Sequence, residues 1–287
     1  MDIIQHSKFY NAYYYSRSST GYGSGSARVH DEEWLAFFKS IADHIVTDIN
    51  PKTVLDVGCA MGLLVAFLRK HKVKAFGLDI SDYALENIHP DAKPYCWIGS
   101  GADPFVQKFD LAVCIEVLEH LPHMEAEKAI ENLCNCSDDI LFSSTPFDYK
   151  EGTHFNVQPP EYWVEEFARH GFLRDLDFDA SFITPWAIRF CRQRKPIERL
   201  IRDYERKFFH VWKENIDLRY LVLEMEQTLA SNEQTLRELN TRLLEREKVT
   251  QENQAAHEPI SLLSNRINST SYRLKRLIRD LLYKPIK

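Results

Sequence analysis

The stretch Val54–Gly62, VLDVGCAMG, decides how the rest of the chain is read. The run Thr53–Val57 (TVLDV) is short, apolar and β-branched, and Gly58 ends it, so it reads as a buried strand. Leu64, Phe67 and Leu68 then fall at helical spacing across Met61–His71. A glycine-bearing turn between strand and helix lets backbone approach a ligand closely. The spacing here is G-x-x-x-G, with Asp56 two residues ahead of the first glycine. A dinucleotide-binding turn wants G-x-G-x-x-G around a pyrophosphate, and Asp56 beside a phosphate would repel it. Beside a cationic ligand the same acid attracts. A second acid, Asp79, ends the next apolar run (FGLDIS), where a carboxylate can accept two hydrogen bonds from ribose hydroxyls.

Working outward, apolar runs and helical patterns alternate. Lys74–Leu78, Tyr95–Ile98, Phe109–Ile115 and Asp139–Ser143 read as strands, with helices over Asp82–Ile88, Met124–Cys134 and Glu161–His170. Phe172–Phe178 and Trp186–Cys191 bring the strand count to seven. The alternation predicts an α/β fold: a Rossmann-like, doubly wound, seven-stranded sheet with ligands at the carboxyl ends of its strands. After Pro196 glycine disappears, and Pro259 and Pro285 are the remaining prolines, which predicts a long helical extension bounded by breakers. The expected organisation is a helical cap or lid over 1–50, an α/β domain over 51–195, a coiled-coil arm over 196–257 and a basic amphipathic tail over 258–287.

Charge sorts the same segments. Residues 1–195 carry 19 Lys and Arg against 28 Asp and Glu, whereas 196–287 carry 17 against 14. An acidic globular part is a poor nucleic-acid binder, because phosphate neutralisation needs clustered cations. A hydrophobic share of 44% and a charged share of 27% exclude wholesale disorder. No apolar run is long enough for a membrane span, and MDIIQHSKFYN lacks a secretory pattern, so a reducing cytoplasm is expected for the six cysteines. Cys134 and Cys136 lack the partners of a zinc site, and no metal is expected.

Taken in order, VLDVGCAMG, GLDIS and FDLAVCIEVLEHLP resemble the nucleotide-site and fourth-strand motifs of class I S-adenosylmethionine-dependent methyltransferases. The resemblance covers about residues 50–190. Thr153–Phe172 and the N-terminal GYGSGS narrow it toward methyltransferases of polysaccharide and glycan assembly. The resemblance implies S-adenosyl-L-methionine as cofactor. It implies that Asp56, Gly58 and Gly62, with Cys59 and Ala60 in the same turn, hold the methionine end. Asp79 would bind the ribose, Ile80 would pack near the adenine, and Glu116 would line the methionine and substrate side. Two positions depart from the family pattern. Ala60 replaces the central glycine, tolerable at negative φ, and Gly99-Ser100 stands where many relatives have Gly-Asp, leaving adenine recognition to Ser100 or Asp103.

Methyl transfer from a sulfonium is an in-line displacement, so the enzyme's main task is to place a nucleophile. A hydroxyl nucleophile also needs a base. His154, just beyond the fifth strand, is the first candidate, because histidine titrates near neutral pH; His120 and Glu116 are the alternatives. Tyr10, Tyr13, Tyr14, Tyr15 and Tyr22, beside the glycine-rich 21–26, suit a lid that excludes water. Aromatic rings also stack on sugars, so the expected reaction is O-methylation of a sugar or lipid-linked glycan. A small-molecule or quinone acceptor, or a weakly catalytic scaffold that only binds cofactor, is the alternative. In the arm, Leu218, Val222, Met225, Leu229, Asn232, Leu236, Leu239 and Leu243 form a heptad seam over 218–243. It predicts self-association or a partner protein, in preference to an intramolecular hairpin. The tail carries seven cations against Asp280 over 260–287, suited to peripheral contact with the inner membrane face.

Overall fold

The structure, a computed structural model, describes residues 9–17 and 32–282. It divides into two units, Met1–Glu205 and Arg206–Lys287.

The first unit is a seven-stranded sheet in the order β3-β2-β1-β4-β5-β7-β6. Its strands are β1 (Thr53–Val57), β2 (Lys74–Asp79), β3 (Cys96–Ile98), β4 (Leu111–Ile115), β5 (Asp139–Ser143), β6 (Phe172–Arg174) and β7 (Ile188–Arg192). The five strands β3 to β5 are parallel, and β7 runs antiparallel to both β5 and β6. β1 and β4 lie at the centre with nearly every side chain buried, which is why both read as unbroken apolar runs. The chain order reverses between β1 and β4, so their carboxyl ends open a crevice at the switch point.

The helices of this unit are α1 (Ala12–Arg17), α2 (Glu32–His44, continuing as one wider turn through Ile49), α3 (Leu63–Lys70), α4 (Asp82–Glu86), α5 (His123–Cys136) and α6 (Pro160–Arg169). α3 and α2 cover one face of the sheet, with Ile41, Ile45, Leu64 and Leu68 buried against Val54 and Val113. α5 and α6 cover the other, where Trp163 and Phe167 pack on Phe142 and Phe190. The strand expected over Phe172–Phe178 is shorter, Phe172–Arg174; the Asp175 amide still donates to the Arg189 carbonyl at 2.8 Å in the β6–β7 register, and the pairing goes no further. Tyr95 belongs to a short turn ahead of β3 rather than to the strand.

A last helix, α7 (Ile197–Leu282), begins in the first unit and makes up the second. It is continuous over 86 residues, so the described residues contain no helical hairpin and no break at Pro259. An interior proline removes one hydrogen bond, a local cost of roughly 3 kcal/mol that long helix-forming flanks outweigh. In its first turns Asp203 is buried and accepts from Lys195 at 3.0 Å. Leu200 is half-buried, and Phe208 and Trp212, spaced for the same face, are exposed. Among the described residues no helix is long and apolar enough to cross a membrane. Tyr22, the glycine-rich 21–26 and the tail end at 283–287 lie outside the described residues, as do the side chains of Tyr13 and of 251–282, which include the tail's amphipathic face.

Candidate active site

The turn after β1 is built by two left-handed glycines and one left-handed alanine. Gly58 has φ +78°, and a Cβ there would collide with the Val117 methyls. Its amide and that of Cys59 donate to the Leu78 carbonyl at 2.8 and 3.0 Å, which ties the tips of β1 and β2 together. Gly62, at φ +72°, starts α3, and a Cβ there would lie 2.7 Å from that of Ala92. Ala60 was expected at negative φ; its φ is +45°. The turn holds it there because its amide donates to Asp79 Oδ2 at 2.8 Å. The other Asp79 oxygen accepts from the Ser81 amide at 2.8 Å.

Beyond this turn lies a cavity of about 80 Å³. Gly58, Ala60, Asp79 and Ile80 form one wall, with Gly99 and Gly101 beside them. Tyr10, Tyr14 and Tyr15 of the N-terminal segment form the other, held down where Ser81 Oγ donates to the Tyr10 carbonyl at 2.6 Å. Ser100 does not line this cavity: its hydroxyl accepts from the Ala102 amide, and it faces a separate surface cleft with Asp103. Cys59 lines a small apolar pocket with Trp34 and Phe38, and its free thiol, hydrogen-bonded to the Cys96 thiol and buried, is held well above its ordinary pKa. Asp56 and Gly62 sit behind the wall rather than in it. Burial and the neighbouring Asp79 push the Asp56 carboxyl up to about 7, and burial raises Asp79 as well. Two buried acids that no cationic side chain among the described residues meets favour a positively charged ligand.

A second cavity, about 610 Å³, meets the first across Tyr14, Ile115, Glu116 and His120. Trp34, Phe37, Phe147 and Trp186 give it aromatic walls, and Lys150 lies on its rim. Glu116 closes β4 at φ +53°, a strained backbone of the kind that gathers at functional sites. Its carboxylate accepts from Trp186 Nε1 at 3.0 Å.

The loop after β5 then folds back on the turn that follows Glu116. The Asn156 amide donates to the Glu119 carbonyl at 2.9 Å, and His120 Nδ1 lies 3.1 Å from the Thr153 carbonyl. His154 Nδ1 lies 2.7 Å from the Asp148 carbonyl. A carbonyl only accepts, so both histidines carry their proton on Nδ1 and turn the Nε2 lone pair elsewhere. Burial, together with His154, pushes His120 down to about 3, so it stays neutral. Glu119 is fully buried; its Oε1 accepts from the Thr145 amide at 3.4 Å, and its Oε2 has no hydrogen-bond partner among the described residues. Burial and the Glu116 carboxyl raise its pKa well above the carboxylate range. Ligand atoms of Glu119, His120 and His154 lie within 4.8 Å of one another, a donor set that suits a divalent cation. The sequence reading expected no metal and missed Glu119, although Glu119 and His120 are neighbours in the short turn Leu118–His120, just after Glu116.

Residues 30–173 match the family model of the methyltransferase domain. Ubiquinone biosynthesis O-methyltransferase of Coxiella burnetii is 33% identical over 167 residues, covering 48% of this chain and 70% of that protein. The enzyme of the same description from Azoarcus is 28% identical over 153 residues, covering 49% and 62%. Among solved structures, magnesium protoporphyrin IX methyltransferase from Synechocystis with bound SAH superimposes with a TM-score of 0.51 at 19% identity, covering 67% of this chain and all of that one.

Proposed function

Because the chain belongs to the S-adenosylmethionine-dependent methyltransferases, we propose that it methylates a hydroxyl oxygen on a small, planar acceptor seated in the aromatic cavity. One observation carries this reading: the two cavities meet at Glu116 and His120, which is where a methyl group would pass from cofactor to acceptor. S-adenosylmethionine supplies that methyl as an electrophile on a sulfonium. The fit of the first cavity is electrostatic, since Asp56 and Asp79 are buried acids whose ionised forms need a cation.

The chain's own residues then divide the work. Asp79, Ile80 and the backbone of Gly58–Ala60 hold the cofactor, and Tyr10 and Tyr14 exclude water from above. Trp186 fixes the Glu116 carboxylate beside the acceptor. His154 Nε2 takes the hydroxyl proton, its ring set by the Asp148 carbonyl. The aromatic walls favour a phenolic acceptor. The O-methyl chemistry and ubiquinone pathway in the relatives' names point the same way.

A second reading of the deprotonation rests on Glu119 Oε2, a buried oxygen without a partner. Glu119, His120 and His154 would hold a divalent cation, which would supply Lewis-acid lowering of the acceptor hydroxyl's pKa so that its proton could pass to solvent water. A sugar or lipid-linked glycan is the second reading of the acceptor, supported by the exposed Phe147 ring set edge-on to Trp186, at 6.1 Å, on the cavity wall. Incubation with labelled cofactor and a panel of catechols, quinols and envelope glycans tests both. Label is expected in the phenolic acceptors; label in glycans alone would replace the acceptor class, and none in any of them would remove the enzymatic reading.

A further inference from the structure

We infer that α7 forms a parallel, in-register, two-stranded coiled coil with a second copy of this chain. The seam runs further than 218–243. In heptad notation Phe208, Asn215, Val222, Leu229, Leu236 and Leu243 occupy a positions, and Val211, Leu218, Met225, Asn232 and Leu239 occupy d positions. Along five heptads the apolar members are 48–67% exposed on a helix that is unbroken throughout. A stripe of that length at a period of 3.5 residues is the surface that a second helix covers.

The occupant follows from the polar members. An asparagine at an a position fixes register and strand number, because it is tolerated only opposite a like partner. In a parallel, aligned pair Asn215 and Asn232 each meet their own copy. The flanking positions agree. Glu214 at g faces Arg219 at e of the second helix, and Arg242 at g faces Glu247 at e, each twice by symmetry. No like-charged g–e pair arises among residues 208–249. An antiparallel pair that set Asn215 against Asn232 would also set Glu226 against its own copy, and Arg242 would lose Glu247.

The test uses the full chain. No native cysteine lies beyond Cys191, so Leu218→Cys places one thiol on the seam. Light scattering at tens of micromolar is expected to give twice the 33.6 kDa chain mass, and mild oxidation is expected to link Leu218→Cys to itself. The double variant Leu229→Glu, Leu236→Glu is expected to be monomeric and still to bind cofactor, which separates loss of the seam from loss of folding. A monomeric native chain would overturn the inference. So would a dimer that links a mixture of Leu218→Cys and Leu229→Cys chains but never Leu218→Cys to itself, the antiparallel signature.

Discussion

The rings of His120 and His154 meet edge-on with centroids 4.5 Å apart, although 34 positions separate them in the chain. Each is anchored through Nδ1 to a backbone carbonyl, so the two Nε2 lone pairs are set by the fold rather than by each other. His120 is too weakly basic to accept a proton near neutral pH, so the base proposed from this pair is His154. His154→Ala is expected to lower turnover by roughly a hundredfold to ten-thousandfold, the usual contribution of a positioned base. Cofactor affinity, measured by calorimetry, is expected to stay unchanged. Native turnover in this variant would remove His154 from the mechanism.

Glu119 supplies the next test. A carboxyl with one partnerless buried oxygen is costly in isolation and ordinary as a ligand. Both histidines donate their second ring nitrogen to a carbonyl, the arrangement that orients imidazole ligands. Mn²⁺ or Zn²⁺ at a hundred times its Kd is expected to stabilise the fold by about 2.7 kcal/mol, read as a rise in melting temperature. Glu119→Gln is expected to abolish the rise while the protein stays folded. If neither ion shifts the native melting curve, deprotonation belongs to His154 alone.

Asp56 gives a prediction in pH. Its folded pKa, about 7, lies above its ordinary value near 3.8, so its ionisation opposes folding of the cofactor-free protein. The contribution from this group is fully favourable below pH 3.8 and is lost as pH rises toward 7. A cationic ligand needs the ionised form, so cofactor affinity runs the other way. It is expected to rise between pH 5.5 and 7, by at most about tenfold per unit, and to level off above. Calorimetry across that range, with Asp56→Asn as control, checks the assignment. The variant is expected to bind weakly with a flattened pH profile, and an unchanged profile would place the titrating group elsewhere.

The parts of the molecule visible in the sequence are those with a local cause. β1, β4 and β5 are apolar because both faces of the sheet are covered, and Gly58 is a glycine because Val117 leaves no room for a Cβ. Asp79 was legible for the same reason: the end of β2 is a fixed place in the fold. The acceptor side was less legible. Trp186 reaches Glu116 across 70 residues, and Glu119 joins His154 only because the loop after β5 folds back on it. Ser100 lines the surface cleft and Gly101 the cavity, with Gly99 on both, so one residue of phase on a strand-end loop decides which side chain meets which space.

Ala60 offers the last test, since its strain is local and separable from chemistry. A left-handed alanine costs roughly 1–2 kcal/mol, and the hydrogen bond from its amide to Asp79 is what holds it there. Glycine removes that strain and loses about 0.5–1 kcal/mol to backbone entropy, so Ala60→Gly is expected to be neutral or stabilising by up to about 1.5 kcal/mol. Gly58→Ala carries the same backbone penalty plus a collision with Val117, so it is expected to destabilise the fold and weaken cofactor binding together. Denaturant melts of the two variants give the comparison. If Ala60→Gly were the more damaging change, the left-handed turn would not be the one the protein adopts.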